Sequence, residues 1–338
     1  MVILISEQKI SMLRIPALQI PNILPHPDAI RSFGDNRHSY EPEFWEFQYE
    51  VYRYLGRLQE SDLIKRYGYI IRNMRTVISP DRHIIPIRSF LSSWYWYRKE
   101  HQTRLEFFLR GIEVPVEPPT GVLDNSPANA PVRPKSPNAG DILFRYGDRQ
   151  WMHEMFEQGS IRIAPASFYR SLEEDCGRTD NELEKSSFKP GEYTKITTED
   201  GREIPIKGDF QRTISAPDFF VLSMACDWDS ALFKEFGNSC VVIRDTEEFA
   251  QRLESAAKYH LDGWLFYHNP VHYYDPYEMS RYEYFDASMC KDFCFAYQRE
   301  YRFLWINTAG QEAVGFKFLD VGPLVGIAEL HEYEKRDA

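Results

Sequence analysis

The chain has 338 residues, of which 43% are hydrophobic, and its formal net charge is −11. This length is enough for one large domain or two ordinary ones, and the apolar content is enough to build a core. The apolar run at residues 2–5 is too short for a signal peptide, and no stretch has the length needed to span a bilayer. Five cysteines without a Cys-x-x-Cys pair argue against a disulfide framework or a zinc site. We therefore expect a soluble cytoplasmic protein with reduced thiols.

The first regular pattern along the chain is helical. Apolar residues recur at three- and four-residue steps over 44–58, and further helices are predicted over 61–78 and 89–109. Residues 61–111 hold ten Lys and Arg against four acids, a net charge of +6. A basic segment on an acidic protein indicates an anionic partner, such as nucleic acid or an acidic protein surface, unless it is only a solvated helical face.

Seven prolines follow between residues 115 and 137, among Ala, Asn, Ser and Gly. Such a composition cannot bury a core and favours extended conformations. We therefore predict a helical accessory domain at 1–111, a Pro-rich linker at 112–140 and a second domain at 141–338.

Strand and helix patterns alternate in the second domain. Strands are predicted over 142–146, 160–164, 219–225, 239–243, 268–274, 293–306 and 313–318. Helices are predicted over 151–158 and 246–259, and the polar segment 173–209 is typical of a long surface loop. The mixture predicts an α+β fold.

The last long strand carries Gln298, Glu300 and Arg302. Side chains alternate faces along a strand, so these three are expected on the same face. Burying them without partners is costly, so they form a structural ion network or line a cleft. Two earlier predicted strands also carry polar residues, namely Arg145 between two aromatic residues, and Ser223.

This order of strands resembles the ADP-ribosyltransferase superfamily, in which members of the Arg–Ser–Glu type carry Gln-x-Glu or Glu-x-Glu on a late strand. The chain is also similar to a broad bacterial family of uncharacterised domains, through residues 143–146, 178–182 and 300–302. The resemblance covers roughly residues 141–330. It implies a split β-sheet domain, preceded here by the helical one. One departure is at Ser223-Met224-Ala225, where Ser-Thr-Ser is usual, so Ser167 and Ser171 compete with Ser223.

The resemblance implies an NAD-dependent mono-ADP-ribosyltransferase. Glu300 would stabilise the oxocarbenium-like ribosyl cation, and Gln298 would orient the acceptor. Arg145 would hold the diphosphate of NAD through charge-assisted hydrogen bonds. Ser223 would fix the site. The residues expected to stack on nicotinamide or ribose are Tyr146 and Tyr169.

Gln rather than Glu two residues before the catalytic position implies an acceptor other than arginine. The resemblance suits a bacterial toxin or phage-defence effector that modifies RNA, DNA or a protein, with RNA favoured, and that an inhibitory partner protein controls. One alternative is a non-enzymatic binding module that uses 94–97 and the basic helices. Another is a metal-dependent nuclease using Asp180, Glu182 and Glu300.

Overall fold

The computed structural model describes residues 42–77, 93–115, 141–170, 181–191, 196–204, 208–229, 232–278, 286–307 and 311–332. They fall into two compact units. The helical unit holds the described residues up to 115 and those between 189 and 210, which the sequence assigns to the second domain. The sheet unit holds the others. Most of the predicted linker, from 116 to 140, lies outside the described residues.

Three helices form the helical unit: α1 (Pro42–Val51), α2 (Glu60–Val77) and α3 (Ser93–Arg110). The first predicted helix is too long, because α1 ends at Val51 and a turn follows. Tyr54 and Leu55 are nevertheless buried in that turn. Their spacing therefore reflects tertiary packing that continues past the end of the helix. No helix in the described part of the chain is long and apolar enough to cross a membrane.

The basic segment of the helical unit is not a uniformly solvated face. Arg66 and Lys99 are buried, as is Trp96. The Lys99 ammonium lies 4.8 Å from the ring centroid of Tyr54 and 5.1 Å from that of Tyr95, within the range of a cation–π interaction. Two of the ten basic residues are thus packed inside and are not part of a surface that binds an anionic partner.

The prediction of one long surface loop over 173–209 is wrong in its described part. It contains β3 (Glu184–Pro190), β4 (Ile196–Thr197) and β5 (Glu203–Ile204), and β6 (Asp209–Ser215) begins at its end. Strand β3 pairs with β6, and β4 pairs with β5. These strands are polar, so the apolar alternation by which strands are detected is missing.

The main sheet of the sheet unit has eight strands, and all their pairings are antiparallel. The strands are β1 (Leu143–Gly147), β2 (Ser160–Pro165), β7 (Phe219–Ala225), β8 (Ser239–Ile243), β9 (Trp264–Pro270), β12 (Glu300–Asn307), β13 (Lys317–Asp320) and β14 (Ala328–Glu332). The predicted α+β content is confirmed, and β7 and β8 match their predicted bounds. The last predicted strand, 313–318, lies a few residues too early, since β13 begins at Lys317.

Strand β7 is the centre of this sheet, and one of its edges is shared by two strands. On one side it pairs along its whole length with β12, which pairs in turn with β9. On the other side β2 pairs with Phe220 and Val221, whereas β1 pairs with Ala225. Strands β2 and β1 then continue to β13 and to β8–β14 respectively. The sheet therefore splits along the β7 edge between Val221 and Ala225.

Helices cover the sheet. The helices are α4 (Arg149–His153), which continues as a π-helical turn at Glu154–Gln158, then α5 (Ala166–Arg170), α6 (Leu232–Phe236) and α7 (Thr246–Ala257). The Asp245 side chain caps α7 by accepting from the N–H of Glu248 at 3.0 Å. Phe249 and Leu253 of α7 are buried in one core with Phe220 and Phe303 of the sheet. This core fixes the position of β12 and therefore of the polar residues at its start.

Two predicted strands are interrupted. The segment predicted over 268–274 is the end of β9 and a separate strand β10 (His272–Tyr274), which pairs with β11 (Cys290–Asp292). The segment predicted over 293–306 begins as a 3₁₀ helix, Phe293–Gln298, whose N-cap Asp292 accepts from the N–H of Cys294 at 2.9 Å. Gln298 is thus not on the strand with Glu300, and the prediction that they share a strand face is wrong.

Candidate functional site

A cavity of about 260 Å³ lies where the sheet splits. Leu222, Ser223 and Met224, which lie between the β2 and β1 pairings on β7, contribute to its wall. The rest of the described lining comes from β1 and β2, the helices beside them, β13, and the residues Glu182, Lys291, Gln298 and Glu300. The charged, hydroxyl and amide side chains of the lining outside β7 are Arg145, Tyr146, Asp148, Glu154, Ser160, Arg162, Tyr169, Glu182, Lys291, Gln298 and Glu300.

Glu300 is the first residue of β12, and its carboxylate accepts hydrogen bonds at both oxygens. Oε1 accepts from the Ser223 hydroxyl at 2.6 Å and from Arg302 Nε at 2.7 Å. Oε2 accepts from Lys291 Nζ at 2.7 Å and, more weakly, from Arg302 Nη2 at 3.5 Å. Ser223 is the β-ladder partner of Arg302. Strand alternation therefore places the Ser223, Glu300 and Arg302 side chains on one face, as the sequence predicts for the last two.

A second carboxylate completes a buried charge cluster, Glu182, Lys291, Glu300 and Arg302. Glu182 Oε2 lies 2.5 Å from Arg302 Nη2, and Glu182 Oε1 lies 3.6 Å from Lys291 Nζ. Arg302 Nη1 also donates to the carbonyl of Ser288 at 2.6 Å. Two cations thus face two carboxylates, and a third buried cation, Lys185, lies 3.9 Å from Glu182 Oε2 at the edge of the cluster. This mutual pairing is what makes burial of four charged side chains tolerable.

The cluster keeps Glu300 ionised. Burial would raise the pKa of this carboxyl, but the charges and hydrogen bonds of Arg302 and Lys291 hold the pKa well below its usual range. The backbone N–H of Glu300 donates to the Tyr273 hydroxyl at 2.8 Å. Burial and the nearby Glu300 charge raise the pKa of Tyr273 well above its ordinary value, so the phenol stays neutral. Glu300 is therefore a fixed negative group and a poor proton donor.

Arg145 reaches the same place from β1. Its guanidinium donates through Nη1 to the carbonyl oxygen of Ser223. This bond crosses the gap in which neither β1 nor β2 pairs with β7. The side chains predicted as an Arg–Ser–Glu set, Arg145, Ser223 and Glu300, are thus brought together around Ser223. The competing Ser167 instead donates its hydroxyl to Asp218 Oδ2 at 2.5 Å, and Ser171 lies outside the described residues.

Gln298 lines the cavity although it is not on β12. Its Nε2 donates to the Tyr297 hydroxyl at 3.1 Å, and that hydroxyl donates to Glu235 Oε2 at 2.8 Å. Arg299, between Gln298 and Glu300, has a left-handed backbone (φ 45°) and is ion-paired with Asp227. This turn joins the 3₁₀ helix to the strand and directs both side chains toward one cavity.

The two tyrosines predicted to stack on a ligand differ in their surroundings. Tyr146 is buried against Phe233 and Trp228, its hydroxyl accepts from the N–H of Asp229 at 2.9 Å, and burial raises its pKa well above the ordinary value. Tyr169 on α5 is half-buried and lines the cavity. Both rings reach the lining, but Tyr146 is mainly a core residue.

Sequence reasoning missed Lys291 and Tyr273. Lys291 lies in the short strand Cys290-Lys291-Asp292, where the adjacent Asp292 makes it look like an ordinary surface lysine, so the local sequence gives no signal for a buried cation. Tyr273 gave no signal, because its contact with Glu300 depends on how β10 and β12 lie in the fold. Of the acidic segment 178–182, the structure describes Asn181 and Glu182, and Glu182 joins the charge cluster.

Within the described ranges, no group of three or more His, Cys, Asp or Glu side chains is arranged to hold a metal ion. Glu182 and Glu300, two of the residues in the nuclease alternative, are paired with Lys291 and Arg302, and Asp180 lies outside the described residues. Comparison of the chain with protein-family models, curated proteins and solved structures finds no match to any of them.

Proposed function

We propose that the sheet unit is an NAD-dependent ADP-ribosyltransferase with its active site in the cavity at the β7 split. The observation that carries the proposal is the hydrogen bond from Ser223 to Glu300 in that cavity, with Arg145 bonded to the same serine. These residues come from three strands that are distant in sequence and converge on one gap in the sheet. The grouping supports the ADP-ribosyltransferase-like reading of the fold.

The proposed reaction breaks the bond between ribose C1′ and the nicotinamide nitrogen. The bonding electron pair leaves with nicotinamide, and C1′ acquires positive charge before the acceptor nucleophile bonds to it and releases its proton to water. An ionised carboxylate beside C1′ stabilises that charge more in the transition state than in the ground state. The low pKa of Glu300 suits this electrostatic role, because a fixed negative charge is needed throughout.

Glu300 must exchange one partner to hold a ribose hydroxyl, because its carboxylate already accepts four hydrogen bonds and the residue is only 4% exposed. Lys291 is the partner best placed to leave. Its ammonium lies 3.6 Å from Glu182 Oε1, so a short movement gives it a second carboxylate in place of Glu300. In this scheme Glu182 receives Lys291 when substrate binds.

The other predicted residues have roles consistent with their positions. Arg145 would donate to the diphosphate of NAD, and it would then give up or share its bond to the Ser223 carbonyl. Gln298 would orient the acceptor through its neutral amide, held by Tyr297 and Glu235. Tyr169 is the better placed of the two tyrosines to stack on nicotinamide or ribose.

A second function is favoured by one observation. The saturated, buried Glu300 is also what a purely structural ion cluster would look like, as in a binding module without catalysis.

The proposed biological setting depends on the enzymatic function. We propose a cytoplasmic toxin or phage-defence effector that acts on RNA, DNA or protein and is controlled by an inhibitory partner.

The test is incubation of the purified protein with labelled NAD and separate pools of RNA, DNA and cell protein. The wild type should release nicotinamide and label one pool, and Glu300→Gln should lose at least about 100-fold in rate, as loss of a transition-state charge contact does. Circular dichroism would verify that the variant is folded. Undiminished turnover in a folded Glu300→Gln variant would contradict the role assigned to Glu300. No nicotinamide release by the wild type with any pool would support the binding module.

A further inference from the structure

An exposed aromatic surface borders the cavity on the β2–β13 side. We call Arg162, Phe168, Phe316 and Phe318 the aromatic ledge. Phe318 is 55% exposed and Phe316 is 40% exposed. Phe318 pairs with Arg162 across the β2–β13 ladder, so their side chains lie on the same face of the sheet. The ledge is thus a surface fixed by strand register.

The ledge is internally packed. The Arg162 guanidinium lies 4.8 Å from the centroid of the Phe316 ring. Phe168 meets the same ring edge to face, with the centroids 4.8 Å apart. Phe318 is the most exposed of the three rings. Contiguous exposed aromatic side chains are uncommon on a soluble surface and mark binding sites.

The ledge is continuous with the candidate active site. Arg162, Phe168 and Phe318 belong to the lining of the cavity that also contains Glu300 and Gln298. A molecule that rests on the ledge can therefore extend a reactive group into the cavity. This places the ledge where the acceptor of the proposed transfer would have to enter.

We propose that the aromatic ledge binds a nucleobase of a single-stranded nucleic acid, which is the acceptor of the reaction. The inference rests on the proposed function and narrows its acceptor class. This ligand has a part that suits each of three residues. The face of the base can stack on Phe318, a phosphate can pair with Arg162, and the polar edge of the base can hydrogen-bond to the amide of Gln298. An aromatic side chain of a protein acceptor would stack equally well but would bring no anion for Arg162.

The adenine of NAD has the same chemistry and could occupy the ledge instead. The two possibilities differ in whether the affinity for nucleic acid or the affinity for NAD depends on the ledge. If the acceptor stacks there, loss of Phe318 weakens nucleic-acid binding far more than NAD use. If adenine stacks there, the KM for NAD rises and oligonucleotide binding is unaffected.

The experiment measures fluorescence anisotropy of labelled 12-nucleotide single-stranded RNA and DNA at several salt concentrations, with the full-length protein. Phe318→Ala should weaken binding about ten-fold, the usual effect of removing one stacking ring. Arg162→Gln should reduce the slope of log affinity against log salt by about 0.7, as for one lost phosphate contact to a single strand. The matched control is Tyr267→Ala, which removes a ring that is 43% exposed on β9 and outside the described cavity lining. It should bind like wild type.

Nicotinamide release is measured on the same variants. A rise in the KM for NAD in Phe318→Ala that equals or exceeds the loss of oligonucleotide affinity would overturn the proposal. So would absence of oligonucleotide binding by the wild type at low salt, or equal losses in Tyr267→Ala. Ledge-dependent oligonucleotide binding without any NAD turnover would support the ledge as a nucleic-acid site and would defeat the proposed function alone.

Discussion

The helical unit and the sheet unit each bury a carboxylate among cations, and the two arrangements are closely similar. Glu106 of α3 accepts from the Tyr49 hydroxyl at 2.5 Å, from Arg53 at 2.8 and 3.0 Å and from Arg110 Nε at 2.6 Å. Glu300 likewise accepts from one hydroxyl and two cationic side chains. Both carboxylates are buried and saturated with hydrogen bonds.

Their electrostatics also agree. Burial would raise the pKa of Glu106, but hydrogen bonds from Arg53, Tyr49 and Arg110 hold it below its ordinary value, as Arg302 and Lys291 do for Glu300. A perturbed pKa and a dense set of charge contacts therefore do not distinguish a functional carboxylate from a structural one. The difference is access, since Glu300 lines a cavity and Glu106 does not belong to its lining.

The largest difference expected between the two carboxylates is in catalysis. Glu106→Gln should leave the rate of nicotinamide release within about two-fold of wild type, whereas the loss expected for Glu300→Gln is at least about 100-fold. Both substitutions remove one buried negative charge of the same size, so each is a control for the other. Steady-state rates on folded variants provide the comparison. Equal losses in both would mean that turnover depends on general stability and would remove the distinction.

The next effect is on stability and concerns the cations. Arg302 is an ion-pair partner of both Glu182 and Glu300, so Arg302→Met removes one partner from each of two buried carboxylates. This substitution should lower the free energy of unfolding by about 3–5 kcal/mol. Arg53→Met should cost less, about 1–2 kcal/mol, because Arg53 is 39% exposed and the buried Glu106 keeps its hydrogen bonds from Tyr49 and Arg110.

Urea unfolding of the two arginine variants and the wild type measures these costs. The helical and sheet units are followed separately by hydrogen exchange, so a loss confined to one unit is assigned to that unit. A cost for Arg302→Met as small as that for Arg53→Met would contradict a tightly coupled cluster at the site.

The smallest expected effect is a shared dependence on acid pH. Both carboxyls have a folded-state pKa below the ordinary value of 4.5, so their stabilising contribution is present above pH 4.5 and is lost as the pH falls through the folded pKa values. The stability difference between wild type and Glu300→Gln should therefore shrink below pH 4.5. Urea midpoints between pH 3 and 7 test this, and a difference that grows on acidification would contradict it.

The sequence predicted regular elements well where the pattern was apolar. Strands β7 and β8 match because each is a short buried run bounded by polar residues, and α7 ends two residues before its predicted end. Polar strands such as β3 and β6 were missed, since nothing in their composition separates them from a loop.

The sequence predicted which residues line the candidate site better than it predicted how they are arranged. Arg145, Ser223, Gln298 and Glu300 all reach the cavity. The prediction that Gln298 and Glu300 lie on one strand was wrong. A left-handed turn at Arg299 separates them, and such a backbone conformation is not expected at a residue other than glycine. Lys291 was not foreseen, because its pairing with Glu300 depends on a strand contact that no local pattern specifies.

At the split edge of β7, a side chain supplies the hydrogen bond that the backbone of a neighbouring strand supplies elsewhere in the sheet. The carbonyl of Ser223 is met by the guanidinium of Arg145 and not by an amide of β1 or β2. A carbonyl in a regular sheet is bonded by the backbone of a neighbouring strand, whereas this carbonyl accepts from one long arginine side chain. If Arg145 turns to the diphosphate of NAD, as proposed, the Ser223 carbonyl loses this partner while every strand pairing of β7 is kept, so the exchange would separate no strand.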